Sequence, residues 1–340
     1  MKPFARLFIA VAAVAAFVSC SSKTCKVQGT VGSADNLKNG QVLIVESKDH
    51  VDTLSVVDGK FSCTLPRDEA RMYNAILFSD NRPYRRGYSV QFVTDAKSVK
   101  VVLDSVSHVE GSALTDLYND LRKKSIEINR AQGYDAYLEF SKQAYMENSQ
   151  SIVGEKIFFG IARDLSVAEL DECMAVGSDR LRESENLKRM RATKLAEEAS
   201  AVGSHYLDFS GVTPDGKAVN LSDFVGRSKL TLVDFWASWC GPCMRSMPGM
   251  VRLWNSYHKK GLDIVGVAVW DGDNSASRKS IEAKGMLWPQ ILTGEDKTST
   301  EIYGISGIPH VLLIDADGTI LLRGVPDEKE IETLVSAKLK

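Results

Sequence analysis

Residues 229–243 read KLTLVDFWASWCGPC. Residues 229–236 are apolar enough to be buried on both faces, which is the pattern of a strand inside a layered α/β sheet. Trp239-Cys240-Gly241-Pro242-Cys243 follows. Then Met244, Met247, Val251 and Trp254 recur at spacings of three, four and three, the period of an amphipathic helix. Two cysteines three apart therefore stand where a buried strand hands over to a helix. Free backbone N–H groups and the helix dipole at that point favour a thiolate over a thiol. Cys240 is expected to be the exposed nucleophile. Cys243, one turn in, is expected to resolve a mixed disulfide. Pro242 is tolerated because the first helical turn has no intrahelical donor to lose. Zinc would want four ligands, typically two such pairs, and no nearby His pair completes this one. A structural disulfide without redox work is the other bland reading.

Working outward, 264–269 reads as the next strand and 275–284 as a helix. Residues 311–314 and 319–322 flank Asp317-Gly318 as a hairpin, and 327–339 closes as a helix. A turn-rich stretch, TPDGKAVNLSDF, precedes the first strand. Strands alternating with helices and ending in a hairpin and a helix predict an α/β layer fold.

VDFWASWCGPC resembles the active-site strand and loop of thioredoxins. Pro248, five residues after Cys243, matches the proline that kinks the active-site helix. Gly307-Ile308-Pro309, followed by HVLLIDADG, matches the cis-proline loop. An X–Pro bond can be cis at modest cost, and an ordinary trans turn is the alternative. The resemblance implies that Pro309 lies against the disulfide and that Ile308 pairs with substrate backbone. It also matches Asp234 to the buried acid beneath the disulfide. A buried carboxyl has a raised pKa and can take the proton of the resolving thiol. A strand-end Asp that is solvated or satisfied by backbone is the competing reading. The lysine that accompanies this acid in thioredoxin is not evident in DIVGVAVWD.

The stretch between Ala268 and Gln290 is longer than in plain thioredoxin. It resembles the extra helix and strand of extracytoplasmic TlpA-like and ResA-like thiol–disulfide oxidoreductases, loosely grouped with AhpC/TSA domains. Gly-Pro between the cysteines is the dipeptide of reducing thioredoxins, so the resemblance implies reduction of protein disulfides. It further implies disulfide-containing envelope proteins as substrates, apocytochrome c among them, and a membrane thiol donor as the electron source. The dithiol carries the electrons, so no cofactor and no metal is expected. Two other classes stay open. A thiol peroxidase would want Pro-x-x-x-Thr-x-x-Cys, and no Thr stands at that spacing before Cys243. A partner-binding lipoprotein would use the thioredoxin fold only as a scaffold.

The chain begins MKPFARLFIAVAAVAAFVSC. Lys2 and Arg6 precede twelve apolar residues, Leu7 to Val18, a run too short for a bilayer span and suited to a signal peptide. Cys20 after Ser19 resembles the lipidated cysteine of bacterial lipoproteins, although Phe17 stands where Leu is usual. Lipid anchoring at Cys20, secretion to the periplasm and a retained anchor are the three readings, and each exports the chain.

Between leader and α/β region lie two further stretches. Residues 42–45, 75–78, 89–93 and 99–103 read as strands, and Asp58-Gly59 between alternating runs reads as a hairpin turn. This predicts a small β-sandwich or barrel. Its ending, HVEGSALTDLYNDL, resembles a β-rich domain of unknown function found ahead of thioredoxin-like domains. Residues 113–201 are rich in Leu, Ala, Glu, Lys and Arg without Pro, and read as helices. Their densely charged part, 180–198, reads as a solvated face. The expected organisation is a leader over 1–19, a β-rich domain over 20–112, a helical region over 113–201 and a thioredoxin-like domain over 203–340. Residues 26–200 are compatible with substrate recruitment or with homodimerisation.

Composition agrees with this reading. In 340 residues, 44% are hydrophobic and 25% charged, the ordinary globular mix for two or three domains. A net charge of −2 offers no global field for nucleic acid. Six cysteines are too few for a disulfide-stapled scaffold. Cys25 is placed just before the first strand, with pairing to Cys63 left open. Cys63 shares a face with Phe61 and Leu65, and Cys173 reads as helical core.

Overall fold

The computed structural model describes residues 23–32, 40–47, 50–78 and 86–339. The leader and Cys20 lie outside these residues. The chain forms two compact units.

The first unit holds the described residues up to Ala162 with Val176–Ser178. Its strands are β1 (Thr24–Val31), β2 (Gln41–Ser47), β3 (His50–Ser55), β4 (Lys60–Pro66), β5 (Met72–Phe78), β6 (Arg86–Val93), β7 (Ser98–Leu103) and β8 (His108–Glu110). They form two four-stranded sheets, ordered β4-β1-β7-β8 and β3-β2-β5-β6. Alternation decides the layering: in β5 every second residue, Tyr73, Ala75 and Leu77, is buried. Val27, Val99 and Val101 from one sheet meet Val42, Ile44, Leu77 and Phe92 from the other in one core, which makes the expected β-rich region a sandwich.

Two expectations are corrected here. Cys25 lies inside β1, not before it. Asp58 and Gly59 do form a two-residue turn, with φ of 49° and 73° and a bridge between Val57 and Lys60. The flanking strands are not a hairpin, however. β3 pairs with β2, and β4 pairs with β1. The turn carries the chain from one sheet to the other. Such a turn fixes a local reversal, whereas the sheet each flank joins depends on distant strands.

Helices α1 (Ala113–Gln132), α2 (Tyr134–Glu147) and α3 (Ile152–Ile161) complete this unit. The Ser112 hydroxyl caps α1 by accepting from the Thr115 N–H at 3.0 Å. The Tyr145 and Phe158 rings stack 4.8 Å apart between α2 and α3.

The second unit takes Arg163–Ala175 and the chain from Asp179 onward. The helical stretch 113–201 is thus divided rather than a body of its own. Helices α4 (Val167–Val176), α5 (Asp179–Arg182) and α6 (Glu185–Ala199) follow α3 in the chain, and α5 and α6 belong wholly to the second unit. Leu187 alone is buried on α6, and Arg191 grips Asp171 with two bonds of 2.5 and 2.7 Å, so this is the solvated face expected.

The rest of the second unit runs β9 (Ser210–Val212), β10 (Ala218–Asn220), β11 (Leu230–Trp236), α7 (Gly241–Tyr257), β12 (Leu262–Val269), α8 (Ser275–Lys284), β13 (Gln290–Gly294), α9 (Thr298–Ile302), β14 (His310–Asp315), β15 (Ile320–Gly324) and α10 (Glu328–Lys338). One seven-stranded sheet is ordered β10-β9-β13-β12-β11-β14-β15. β11 is parallel to β12 and antiparallel to β14. All seven residues of β11 are buried. Leu230, Leu232 and Trp236 pack with Met247 of α7 and Ile331 and Val335 of α10. Val233 and Phe235 pack on the other face with Phe209 and Tyr303. Each such fully buried Leu or Phe contributes roughly 1.5–3 kcal/mol. Among the described residues, no helix is long and apolar enough to cross a membrane.

Candidate active site

β11 ends at Trp236, three residues of loop follow, and Cys240 is the N-cap of α7. Cys240 and Cys243 are joined by a disulfide with Cα atoms 5.3 Å apart. The Cys243 N–H points at Cys240 Sγ at 3.2 Å, and Pro242 sits in the first helical turn. The capping sulfur therefore takes the place of the usual capping oxygen, where an N–H and the positive helix end would stabilise negative charge. No acidic residue stands in that first turn to oppose this. A Cβ added to Gly241 would lie 3.4 Å from Nη1 of Arg245, so a guanidinium also sits by the loop.

Exposure differs from the expectation. Cys240 is only 3% exposed, because in the disulfide form it is packed into the apolar cluster of Trp236, Ala237 and Met286, with Ile308 against that cluster. Trp239, next to it, is 63% exposed. Its indole N–H donates to the Trp270 carbonyl at 3.2 Å, which fixes the ring beside the disulfide loop.

Asp234 lies on the same strand, 1% exposed, and its Oδ2 has no hydrogen-bond partner. Burial alone pushes its carboxyl up to about 7. It is not a solvated strand end. A cavity of about 210 Å³ reaches it, lined by Ser246, Met250, Pro309, Val325 and Ile331 among others. The Ile308–Pro309 peptide bond is cis. Pro309 thus shares a cavity with Asp234, and Ile308 shares an apolar cluster with both cysteines.

Three contributors escaped the sequence reading. Asp271 is 9% exposed and accepts from the Ser238 N–H at 2.8 Å, the Ser238 hydroxyl at 2.8 Å and the Ser277 hydroxyl at 2.6 Å. It braces the loop two residues before Cys240. The signal for it was the parallel pairing of β11 with β12, in which Trp236 opposes Ala268, so residues just past both strands meet. Gln290 accepts the Trp236 indole N–H at 3.1 Å beneath the loop. It fits only because residue 266 is glycine: a Cβ there would lie 2.1 Å from Gln290 Oε1. His310, after Pro309, is held neutral. Burial, then the nearby Arg323, pushes it down to about 4. Its ring meets Phe235 edge-on at 6.4 Å.

The other cysteines stand apart. Cys25 and Cys63 are free, and register places Cys25 opposite Leu65 and Cys63 opposite Val27, so the two are diagonal neighbours. Burial pushes the Cys25 thiol up, and the Cys63 thiol to about 11, the opposite of an activated cysteine. Cys173 is a buried residue of α4, as expected.

Comparison with known proteins bears on this geometry. Residues 201–338 match the family model described as Redoxin, and residues 25–118 match a domain of unknown function, DUF4369. The chain is 32% identical over 136 residues to the thiol-disulfide oxidoreductase ResA of Geobacillus thermodenitrificans (strain NG80-2), covering 39% of this chain and 76% of that protein. This chain belongs to the ResA thiol-disulfide oxidoreductase family. ResA of Geobacillus kaustophilus (strain HTA426) is 33% identical over 136 residues, with the same coverage. A solved thioredoxin domain of a thiol-disulfide oxidoreductase from Bacteroides vulgatus is 31% identical, covering 40% of this chain and 98% of that one, with a TM-score of 0.36. By the Redoxin match and the ResA relatives, residues 201–338 are a thioredoxin-like domain and the chain is a thiol–disulfide oxidoreductase.

Proposed function

We propose that this chain reduces disulfides of proteins in the cell envelope through Cys240 and Cys243. The observation that carries the reading is the disulfide at the start of α7, with the Cys243 N–H aimed at Cys240 Sγ. In the dithiol form the Cys240 thiolate attacks one sulfur of a substrate disulfide. That S–S bond breaks, a mixed disulfide forms and the other substrate sulfur leaves as a thiolate. Cys243 then gives its proton to Asp234 and attacks Cys240 Sγ. The mixed disulfide breaks, the Cys240–Cys243 bond forms and the second substrate sulfur leaves. The substrate gains two electrons and, with water or Asp234 as proton source, two protons. The enzyme dithiol is oxidised by the same two electrons. A membrane thiol donor returns them.

The remaining residues have supporting roles in this account. The exposed Trp239 offers an apolar contact beside Cys240, Gly241 and Pro242 set the cysteine spacing, and Ile308 and Pro309 receive substrate backbone. The leader exports the chain, and lipidation of Cys20 holds it at a membrane. Oxidised envelope proteins are the substrate class.

A trapping experiment tests the route. Cys243→Ser, reduced and mixed with insulin, is expected to form a dithiothreitol-sensitive covalent adduct through Cys240 and to lose turnover. Cys240→Ser is expected to form no adduct. Full reductase turnover by Cys243→Ser would refute the two-cysteine mechanism.

A further inference from the structure

The first unit carries a groove of about 630 Å³ whose lining includes Ser89, Gln91, His108, Tyr118, Arg122 and Lys156. That size is in the range of ligand sites, on the order of 300–1,000 Å³. Two permanent cations come from two elements, Arg122 of α1 and Lys156 of α3, and His108 of β8 adds an imidazole. No carboxylate among the described residues lines the groove. Among the described residues neither Arg122 nor Lys156 is held in an ion pair. The nearest acid to the imidazole is Glu110, 3.8 Å from His108 Nε2, and its other oxygen is 3.3 Å from Lys100.

The groove wall at Ser89 and Gln91 belongs to β6, the edge strand of its sheet. One side of β6 pairs with β5, with Gln91 opposite Asn74 and Ser89 opposite Ile76. The Val93 N–H points the other way and is taken by Thr115 Oγ1 at 2.9 Å. Antiparallel strands alternate the side on which they bond, so Gln91 and Ser89, two and four residues back, also present N–H and C=O away from β5. Among the described residues no strand pairs with that edge.

A free edge supplies main-chain bonds in strand register, and cations without paired acids supply a charge preference. We propose that this groove docks an acidic, extended segment of a partner protein, which adds to β6 as a further strand. Its main chain bonds to Ser89 and Gln91, and its carboxylates meet Arg122 and Lys156. Nothing in this proposal depends on the dithiol.

Fluorescence anisotropy on the full chain tests it, with a labelled, cysteine-free (Glu-Thr)4 peptide as probe. Saturable binding is expected, weakening as salt rises from ~50 to ~300 mM, because exposed charges are screened. The double variant Arg122→Glu, Lys156→Glu is expected to melt at the native temperature and to bind about tenfold or more weakly. A (Lys-Thr)4 peptide should not bind. A (Glu-Thr)4 peptide N-methylated at every backbone nitrogen keeps the charge but cannot donate to a ladder, and it too should bind far more weakly. No binding of (Glu-Thr)4, an unaffected double variant, or equal binding of the N-methylated peptide would each overturn the proposal. So would binding of citrate at this groove without binding of (Glu-Thr)4, which would make it a small-anion site.

Discussion

The Asp271 carboxylate holds Ser238 by two bonds at once, its backbone N–H at 2.8 Å and its hydroxyl at 2.8 Å. One side chain from the end of β12 thereby fixes the loop that leads into Cys240. Asp271→Ala leaves the Ser238 N–H and the buried Ser277 hydroxyl without their acceptor, at a cost of roughly 1–3 kcal/mol. The variant should unfold at lower denaturant and reduce insulin more slowly, and Ser238→Ala, which keeps the N–H bond, should fall between the two. Native stability and rate in Asp271→Ala would show that the brace does not matter.

Asp234 should make stability depend on pH in a definite direction. Its carboxyl ionises near 3.8 in the unfolded chain and at about 7 when folded. Between these values the folded state holds the extra proton, so stability falls as pH rises and levels off above about 7. Asp234→Asn removes this penalty. It should gain on the native chain progressively across that window, by up to roughly 4 kcal/mol, with no gain below it. The same variant should lose any rise in reductase rate through neutral pH, since the proton acceptor is gone. Denaturation at a series of pH values checks the first outcome, and a pH–rate profile the second. A constant stability difference across the range would contradict the assignment.

Gly266 is predicted to be intolerant of a methyl group. Gly266→Ala drives Gln290 aside, and the buried Trp236 indole N–H loses its acceptor. A loss of about 1–3 kcal/mol is expected, together with a change in tryptophan fluorescence. Unchanged stability would mean that Gln290 has another seat.

Cys20→Ala should move the protein from the membrane fraction to the soluble envelope fraction. Unchanged fractionation would remove lipid anchoring from the account.

Much of this was legible in the sequence because it is local. KLTLVDFW needs only its own composition to read as buried, and Cys240-Gly241-Pro242-Cys243 needs only its neighbours to fall at a helix start. Asp271 was not legible, because its role arises from strand register that brings it to Ser238, 33 residues away in the chain. The β3–β4 reversal misled for a related reason: Asp58-Gly59 specifies a turn, and sheet partners are set elsewhere. The division of residues 113–201 between two units also escaped, since an apolar stripe shows that a helix packs but not against what. Burial of Cys240 depends on a cluster to which Met286 belongs and against which Ile308 packs, both far along the chain.

The reduction potential of the Cys240–Cys243 pair, measured by equilibration against glutathione or dithiothreitol, tests the central claim most directly. A value near ~−270 mV, like that of thioredoxin, is predicted for a reductase. A value near ~−120 mV, that of a strong dithiol oxidant, would reverse the direction of electron flow and contradict the account.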